Sequence, residues 1–285
     1  MTDPEYQIVS LPNGECSVKD LEYGETFHPV IGPGEEAVCL YVQQLNLAER
    51  IVKQVSNPFV VWDVGLGIGA NATATLDMWG TAGGHLHLIS FDKTTEAGRF
   101  ATLHSESLPF LTAWRNTMDE LLSHCHVQVT RRSAIAEWDL VVGDFPSWLA
   151  HANHSSIPSP HAILFDPCSP AKNPEMWTAG LFRNLHRCLD PNRPCALATY
   201  SRATHIRVGL LLAGFWVGHG RSAGAKEETT MAASHPELVD RPLDRPWLER
   251  ILASRSAEPL TESGYRQAPL SEKSLAKLRA HPQFV

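Results

Sequence analysis

The sequence predicts an α/β fold built on a seven-stranded, mostly parallel sheet. Short apolar runs such as NPFVVWDV, HLHLISFD and HAILFD alternate with segments of helical periodicity. Strands that are apolar on both sides are typical of a parallel sheet covered by helices on both faces. The last two candidate strands, GFWVGHG and EETTMAA, are close enough in sequence to form an antiparallel hairpin at the sheet edge.

The first 58 residues predict an extension that precedes the sheet. YQIVS and CSVKDL flank LPNGE, where Asn13 and Gly14 favour the positive φ of a tight hairpin turn. Apolar residues then recur at helical spacing, which predicts one helix from about Glu35 to Val55 that leads into the first strand of the sheet.

Residues 59–235 predict the core, and residues 236–285 a C-terminal appendage. After the first strand come a helix (NATATLDMWG), a strand (HLHLISFD), a long helical and loop-rich stretch (93–136) and a strand (WDLVVGD). HAILFD, the helix MWTAGLFRNLHRCL and the strand CALATYS follow. Beyond His235 the composition shifts to Pro, Arg and Glu and ends in the basic helical stretch SEKSLAKLRAH.

Composition narrows the class of protein. The 285 residues are 43% hydrophobic, which is enough for a sizeable core, and the net charge of −7 gives no global attraction to nucleic acids or membranes. The six cysteines include no CxxC pair, and no window is apolar enough to cross a membrane. We therefore expect a cytoplasmic protein with no structural metal site and no membrane association.

A glycine-rich turn, DVGLGIGAN, joins the first strand of the sheet to its helix. Gly65, Gly67 and Gly69 would let backbone N–H groups approach a ligand at the helix N-terminus, between Asp63 and Asn71. A glycine turn alone is a weak signal. The turn therefore predicts a cofactor site only in combination with other features.

Acids at the ends of the next two strands are such additional features. Asp92, followed by Lys93, ends the second strand, where a carboxylate could accept both ribose hydroxyls of a nucleoside. Asp144 ends the third strand, where it could accept from an adenine amino group while Phe145 covers the ring. Each acid alone is better explained as a helix cap or a solvated loop residue. Together with the glycine turn, they predict an adenosine-containing cofactor.

The fourth strand favours S-adenosyl-L-methionine over a nicotinamide cofactor. Asp166 follows it and precedes Pro167, so a rigid loop would aim a carboxylate at the acceptor beside the donor methyl. An amine acceptor must lose a proton before it attacks, and Asp166 is the candidate that takes it. The alternative is that Asp166 only caps the following helix or orders the proline loop.

The same loop carries a family resemblance. FDPCSPAKNPEMW resembles the signature of the methyltransferase half of the bacterial enzyme that completes 5-methylaminomethyl-2-thiouridine at the tRNA wobble position, and of its single-domain relatives. The family pattern is an Asp followed, after a short gap, by PxKNPxMW, and the matching residues are Asp166, Pro170, Lys172, Asn173, Pro174, Met176 and Trp177. DVGLGIGAN, LHLISFDK and LATYSRATHIRVGLLLAGFWV also resemble family segments.

The resemblance implies a Rossmann-like methyltransferase fold and a tRNA anticodon loop as partner. It implies S-adenosyl-L-methionine-dependent N-methylation of the 5-aminomethyl group, with Asp166 and Lys172 as catalytic residues. The implied cofactor residues are Asp63, Gly65, Gly67, Gly69, Asn71, Asp92, Lys93, Asp144, Phe145 and Asp166. The implied substrate-binding residues are Pro170, Asn173, Trp177 and Tyr200, although packing is an alternative for Trp177 and Tyr200 and solvation for Lys172.

Two departures from the family pattern bear on this expectation. Asp92 stands where a Glu is commoner, and Pro167 and Cys168 replace a small residue and an aromatic or small one. The sequence also shows no FAD-binding oxidase domain, so the resemblance implies action on the 5-aminomethyl intermediate, not on the carboxymethylated one.

The tRNA partner would require a local basic surface. Its candidates are Arg131, Arg132, Arg202, Arg207, Arg221, Lys226 and the C-terminal cations. Two other functions stay open: N- or O-methylation of a small metabolite, which the negative charge favours, and a non-catalytic cofactor-binding subunit, which Cys168 leaves possible. A nicotinamide dehydrogenase is the weakest alternative, because no hydride-transfer site is evident.

Overall fold

The computed structural model describes residues 5–54, 57–151, 157–222 and 228–285. Strands in these ranges form a small hairpin and one large sheet. They are β1 (Tyr6–Ser10), β2 (Cys16–Asp20), β3 (Phe59–Val64), β4 (His85–Asp92), β5 (His126–Arg131), β6 (Ala134–Val142), β7 (Ala162–Phe165), β8 (Ala196–Thr199), β9 (Trp216–His219) and β10 (Thr230–Ala233).

The α-helices of the described residues lie mostly between the strands of the large sheet. They are α1 (Pro33–Ala37), α2 (Leu47–Lys53), α3 (Ala70–Ala82), α4 (Glu96–Leu103), α5 (Arg115–His124), α6 (Phe145–His151), α7 (Ala179–Arg187), α8 (Thr204–Ala213), α9 (Arg245–Ile251) and α10 (Glu272–Arg279). Among these residues, no helix combines the length and apolar character that a bilayer crossing requires.

The large sheet confirms the predicted α/β class, with one correction to its strand number. Its order in the described part of the chain is β5-β6-β4-β3-β7-β8-β10-β9, which makes eight strands and not seven. Strands β6, β4, β3, β7 and β8 are mutually parallel, and β10 is antiparallel to both of its neighbours. The missed strand is β5, whose sequence HVQVTR alternates polar and apolar residues inside a stretch that predicted helix and loop.

The predicted antiparallel hairpin exists and lies at the edge of the sheet, as expected. β9 and β10 pair antiparallel. β10 is the inner strand of this hairpin, because Thr230–Ala233 pairs with Ala196–Thr199 along its whole length, and β9 is the edge strand. The EETTMAA prediction began at Glu227, which lies outside the described residues.

The N-terminal extension contains the predicted hairpin, but its helix is broken. β1 and β2 pair antiparallel around a turn in which Gly14 has φ of 88°. The single helix predicted over 35–55 is wrong: α1 passes into a π-helical turn (Val38–Gln43), and Asn46 interrupts the run with φ of 49° before α2 begins. Val55 lies outside the described residues. Apolar spacing alone does not reveal this break, because it does not report the left-handed backbone of Asn46.

Apolar side chains cover both faces of the sheet. One cluster joins β3 and β4 to α3 and the N-terminal helices, and includes the fully buried Trp79 and Trp138. The second covers the opposite face with α7 and α8. Residues from the C-terminal segment, including Trp247, Leu278 and Phe284, belong to that second cluster. The domain boundary at 235/236 remains a prediction. Residues that follow it nevertheless pack in the core.

Candidate active site

A cleft of about 770 Å³ opens at the carboxyl edge of the parallel strands. Its floor is the turn after β3, and the segments that follow β4, β6 and β7 form its walls. Residues 20–29, which follow β2, cover its other side. The cleft therefore lies where open α/β sheets bind their ligands, at the strand ends next to the point where the strand order reverses.

The glycine turn has the backbone shape that the sequence predicts. Gly65, Gly67 and Gly69 have φ of 98°, 51° and 82°, a region that L-residues with side chains rarely adopt. A Cβ on Gly65 would lie 2.7 Å from the carbonyl oxygen of Asp166. The turn thus lets two strand ends approach each other more closely than a larger residue would allow. Gly65 and Gly67 line the cleft, whereas Gly69 packs against Met118 at the start of α3.

Asp92 is tied to the glycine turn and faces the cleft. Its Oδ2 accepts from the Gly67 N–H at 2.8 Å, and its Oδ1 accepts from the Thr94 N–H at 3.2 Å. Burial raises the pKa of this carboxyl, and the hydrogen bonds from backbone N–H groups partly oppose the rise. The carboxylate is therefore fixed at the end of β4, where the sequence predicts ribose binding. Lys93 follows it on the cleft wall and is exposed.

Asp63 lies under the turn, and not in the cleft wall. Its side chain is fully buried; Oδ2 accepts from Ser90 Oγ at 2.8 Å, and Ser90 Oγ in turn accepts from the Trp138 indole at 2.9 Å. Burial raises the Asp63 pKa to about 8, and the charges of Asp166 and Asp92 act in the same direction. Its Oδ1 has no hydrogen-bond partner among the described residues. Such an orphaned buried acceptor is the kind of group that a ligand's donor would satisfy.

Asp144 and Phe145 lie at the end of β6, on the same cleft. Asp144 Oδ2 accepts from the Ser147 N–H at 2.9 Å, so this acid caps α6, as the alternative interpretation had it. It is also exposed to the cleft, so the cap does not preclude a contact with a ligand. Phe145 is buried with its ring 5.0 Å from that of Phe91.

Asp166 is a largely buried carboxylate of the cleft wall. Its side chain is 14% exposed and its Oδ2 accepts from Asn71 Nδ2 at 2.7 Å. The Nε2 of His28 lies 3.6 Å from the same oxygen. Burial raises the pKa of Asp166, and His28, Tyr41 and Asn71 lower it by a smaller amount. Asn71 therefore does not face the cleft: it orients Asp166 from the first turn of α3.

The segment after β2 supplies contacts that the sequence did not predict. Glu25 accepts from both the backbone N–H and the hydroxyl of Ser169. Phe27 packs against Gly67, and His28 reaches Asp166 from a backbone with φ of 46°. This segment thus joins the glycine turn to the proline loop. No sequence pattern links this segment to a loop 144 positions away. The positive φ of His28 is a feature of the structure that the sequence does not show.

The proline loop divides into residues that face the cleft and residues that support them. Asn173 lines the cleft, whereas Pro170 and Lys172 do not, and Lys172 is exposed. Trp177 is 1% exposed and its indole donates to the Cys168 carbonyl at 2.8 Å, so the prediction that it binds substrate is wrong and its packing alternative holds. Its ring instead packs edge-on against Phe165 beneath the loop.

Tyr200 and Cys168 complete the cleft wall next to Asp166. The Tyr200 hydroxyl donates to the Pro167 carbonyl at 3.0 Å, and its ring lines the cleft. Burial and the carboxylates around it raise the pKa of Cys168 to about 12, so the thiol stays protonated at neutral pH. In this respect Cys168 differs from reactive cysteines, whose thiol pKa is lowered.

These residues fit the cofactor that the sequence predicts. The glycine cradle has no room for a Cβ at Gly65 or Gly67, Asp92 is a fixed acceptor where the sequence predicts ribose binding, and Asp63 has an unsatisfied buried oxygen. S-adenosyl-L-methionine carries two ribose hydroxyls and an ammonium group that require such acceptors. Within the described ranges, no group of three or more His, Cys, Asp or Glu residues is placed to hold a metal ion.

Comparisons with known sequences agree with this site. A family model described as S-adenosyl-L-methionine-dependent methyltransferase matches residues 110–235. The tRNA 5-methylaminomethyl-2-thiouridine biosynthesis bifunctional protein MnmC of Aeromonas hydrophila is 30% identical over 270 residues, which are 90% of this chain and 39% of that protein. The protein of the same name from Aeromonas salmonicida is 28% identical over 269 residues. The chain thus spans about two fifths of the length of the curated relatives it matches.

Solved structures share the fold. MNMC2 from Aquifex aeolicus superposes with a TM-score of 0.70 at 20% identity, covering 98% of this chain and 85% of the other. A probable spermidine synthase from Corynebacterium glutamicum superposes with a TM-score of 0.54 at 12% identity, covering 93% and 95%. Residues 110–235 thus match a family described as S-adenosyl-L-methionine-dependent methyltransferase, and 90% of the chain is similar to a part of the MnmC proteins.

Proposed function

We propose that the protein methylates the exocyclic nitrogen of 5-aminomethyl-(2-thio)uridine at the wobble position of a tRNA anticodon loop, in the cytoplasm. The observation that carries the proposal is the position of Asp166: a buried, oriented carboxylate between the glycine turn and the cleft. The likeness to the MnmC proteins supports the choice of tRNA, although those proteins are more than twice as long.

The chemistry divides between cofactor and protein. S-adenosyl-L-methionine, when bound, supplies the electrophilic methyl group. Asp92 and the glycine turn would hold it. Asp166 would hydrogen-bond the substrate amine and take its proton, helped by a pKa that burial raises toward that of the ammonium. Phe145 and Tyr200 would exclude water around the reacting nitrogen.

The set of basic residues proposed to contact tRNA changes when their positions in the structure are considered. Arg207 is 3% exposed and its guanidinium bonds to Glu228, Thr229 and Thr230, so it cannot reach a phosphate. Arg131 and Arg132 line a separate cavity at the start of β4, at the opposite edge of the sheet. Lys226 lies outside the described residues. The exposed cations that follow strands at the cleft edge are Lys93, Lys172 and Arg202, and these are the candidates for anticodon phosphates.

Labelling of tRNA tests the proposal directly. Bulk tRNA from cells that lack this methylation is incubated with the protein and methyl-labelled S-adenosyl-L-methionine, then digested and analysed by nucleoside mass spectrometry. We expect one labelled methyl group on 5-aminomethyluridine or its 2-thio form. Absence of the label from every nucleoside, with cofactor binding confirmed, would overturn the proposal.

Small-molecule methylation remains a second candidate, because the cleft is lined by many more carboxylates than cations. An acid-lined pocket attracts a free amine without any need for tRNA. Methylation of low-molecular-weight amines in a metabolite extract, with tRNA unlabelled, would support this function instead.

Cofactor affinity should depend strongly on Asp92. Asp92→Ala removes the acceptor proposed for the ribose hydroxyls and also frees the Gly67 N–H that holds the turn. We expect S-adenosyl-L-methionine to bind roughly 30-fold more weakly, since a charge-assisted hydrogen bond contributes about 2 kcal/mol. Isothermal titration calorimetry measures the change. Asp119→Ala is the control, because this acid is exposed and lies outside the cleft. An equal loss in both variants would contradict the assignment.

A further inference from the structure

A segment that precedes the large sheet brings a basic side chain to the cleft. This segment, residues 20–29, which we call the strap, follows β2 and turns back on it. The Phe27 N–H donates to the Val18 carbonyl at 2.9 Å, and the Ser17 hydroxyl donates to the Phe27 carbonyl. Both backbone groups of Phe27 are therefore fixed, and His28 is the next residue along the chain.

Side chains of the strap attach it to the two loops that form the cleft floor and wall. Glu25 accepts from the backbone N–H of Ser169 at 3.0 Å and from the hydroxyl of the same residue. The Phe27 ring packs against Gly67. The strap is thus attached both to the glycine turn and to the proline loop that carries Asp166.

His28 has an uncommon backbone conformation. Its φ of 46° lies in the left-handed region, which few residues other than glycine adopt. In the described part of the chain three other residues with side chains have positive φ, and none of them lines the cleft; they are Asn46, Cys125 and Arg132. Such conformations persist where the surrounding structure maintains them, often at functional sites. The anchored strap maintains this one.

The imidazole of His28 is in ion-pair contact with Asp166. Its Nε2 lies 3.6 Å from the Asp166 Oδ2, and the two side chains are 8% and 14% exposed. This distance exceeds that of a hydrogen bond, so the contact acts mainly through charge. Among the residues that the structure describes, no other basic side chain lies within ion-pair distance of Asp166. Lys93, the second basic residue of the cleft, is exposed.

Asp166 requires a nearby positive charge to stay ionised. Burial raises the pKa of this carboxyl, and the charge of Glu36 acts in the same direction. Of the effects that lower it, the charge of His28 is the largest, followed by the polar side chains of Tyr41 and Asn71. Other titratable groups on the elements next to Asp166 are Glu25 in the strap, Asp63 on β3, Cys168 in the proline loop and Tyr200 after β8. None of these groups can supply a positive charge.

We propose that His28 is a positioning residue for Asp166: its imidazolium form keeps the buried carboxyl ionised, so that Asp166 can take the proton of the substrate amine near neutral pH. The inference deepens the proposed function and rests on it for the role of Asp166. Asp166 accepts one proton from the substrate ammonium, and the neutral nitrogen attacks. A nitrogen–carbon bond forms while the sulfonium sulfur–carbon bond breaks, so positive charge passes from sulfur to nitrogen. His28 acts only through the charge of Asp166.

The ionisation of Asp166 can be measured without any substrate. The protein is labelled with ¹³C at its aspartate carboxyl groups, and the Asp166 resonance is the one that Asp166→Asn lacks. Its titration midpoint is followed by NMR in the wild type and in His28→Gln, which keeps a polar side chain and removes the charge. We expect the midpoint to lie at higher pH in His28→Gln, because a carboxyl without an opposite charge beside it binds its proton more tightly.

His28→Asn is the second variant, because asparagine tolerates a left-handed backbone better than glutamine does. It should show a shift in the same direction. A cooperative thermal unfolding transition shows that each variant is folded. An Asp166 midpoint that stays at the wild-type pH in both variants would overturn the inference.

The pH profile of methylation separates a charge effect from a structural one. The substrate is an anticodon stem-loop with 5-aminomethyluridine at the wobble position. On the acidic side of the profile, kcat/KM should be roughly tenfold lower in His28→Gln than in the wild type. At alkaline pH it should approach the wild-type value, because Asp166 is then ionised in either protein.

Glu25→Gln is the matched control, because it weakens the attachment of the same strap to Ser169 without removing a positive charge. Any loss of kcat/KM in Glu25→Gln should be the same at every pH. A loss in His28→Gln that is likewise independent of pH would show that His28 only supports the strap, and the inference would be wrong.

The two hypotheses fail separately. If the wild type methylates no aminomethyl stem-loop but the Asp166 midpoint shifts as expected, the proposed function fails, and the effect of His28 on the ionisation of Asp166 stands. If the wild type methylates the stem-loop and the midpoint is unchanged in both His28 variants, only the inference about His28 fails.

Discussion

Asp166→Asn is expected to lower kcat/KM for methylation of 5-aminomethyl tRNA by roughly 10²- to 10⁴-fold, the usual contribution of a positioned general base. The amide keeps an oxygen that can accept from Asn71, so the fold and the cofactor affinity should change little. The variant lacks only the group that takes the proton. Single-turnover rates with labelled cofactor measure the loss, and a binding titration with S-adenosyl-L-methionine serves as the check on folding.

The pH dependence of the wild type should reflect the same carboxyl. Burial raises the pKa of Asp166, so its basic form is lost as pH falls through a value above that of a solvated Asp. Activity should therefore rise with pH across that value, and this part of the profile should be absent in Asp166→Asn. Asp144→Asn, an exposed acid of the same cleft, should keep it. A modest loss in Asp166→Asn with an unchanged profile would show that Asp166 only orients the amine.

Gly65→Ala is expected to lower the free energy of unfolding by about 3 kcal/mol and to abolish cofactor binding. The residue has φ of 98°, which costs about 1 to 2 kcal/mol for any residue with a Cβ. The new methyl group would also lie 2.7 Å from the Asp166 carbonyl oxygen, a backbone atom that cannot rotate away. The loop that carries Asp166 would therefore move. Chemical denaturation and a binding titration measure the two effects.

Gly14→Ala separates backbone strain from the close approach. Gly14 has a similar φ of 88°, but nothing lies within 4 Å of the position that a Cβ would take. We expect it to lose only the strain contribution, about 1 to 2 kcal/mol, with cofactor binding unchanged. Equal losses in the free energy of unfolding of the two variants would mean that the contact between the glycine turn and the proline loop does not contribute to stability.

The sequence predicts most of the sheet because its central strands are apolar on both faces. Residues such as Val61, Ile163 and Leu197 are fully buried, and runs of this kind leave little ambiguity. Two features escaped the prediction for opposite reasons. β5 is a six-residue edge strand, and its short alternation of polar and apolar residues does not stand out within a polar stretch. The N-terminal helix is broken at Asn46, whose left-handed backbone apolar periodicity does not report.

The residues of the site also include some that the sequence predicts and some that it does not. Glycines and acids at strand ends are local signals, and the structure brings Gly65, Asp92 and Asp166 to one cleft. Glu25, His28 and Glu36 reach that cleft from a segment more than a hundred residues away from the proline loop, and no local pattern announces such a contact. Trp177 was misassigned because a tryptophan in a signature can support a loop as well as touch a ligand.

The position of β10 has a consequence for how the chain folds during synthesis. β8 leaves the ribosome before β9 and β10, yet its final neighbour on one side is β10. Until residues 230–233 emerge, the backbone N–H and C=O groups along that edge of β8 have no strand to pair with, and an open apolar edge is a template for intermolecular association. The C-terminal residues later bind the far edge, where the Gln283 side chain bonds to the backbone of Val217. The growing chain thus depends on residues 230–233 to cover β8 and on Gln283 to cover β9, and a chain cut before residue 230 should aggregate.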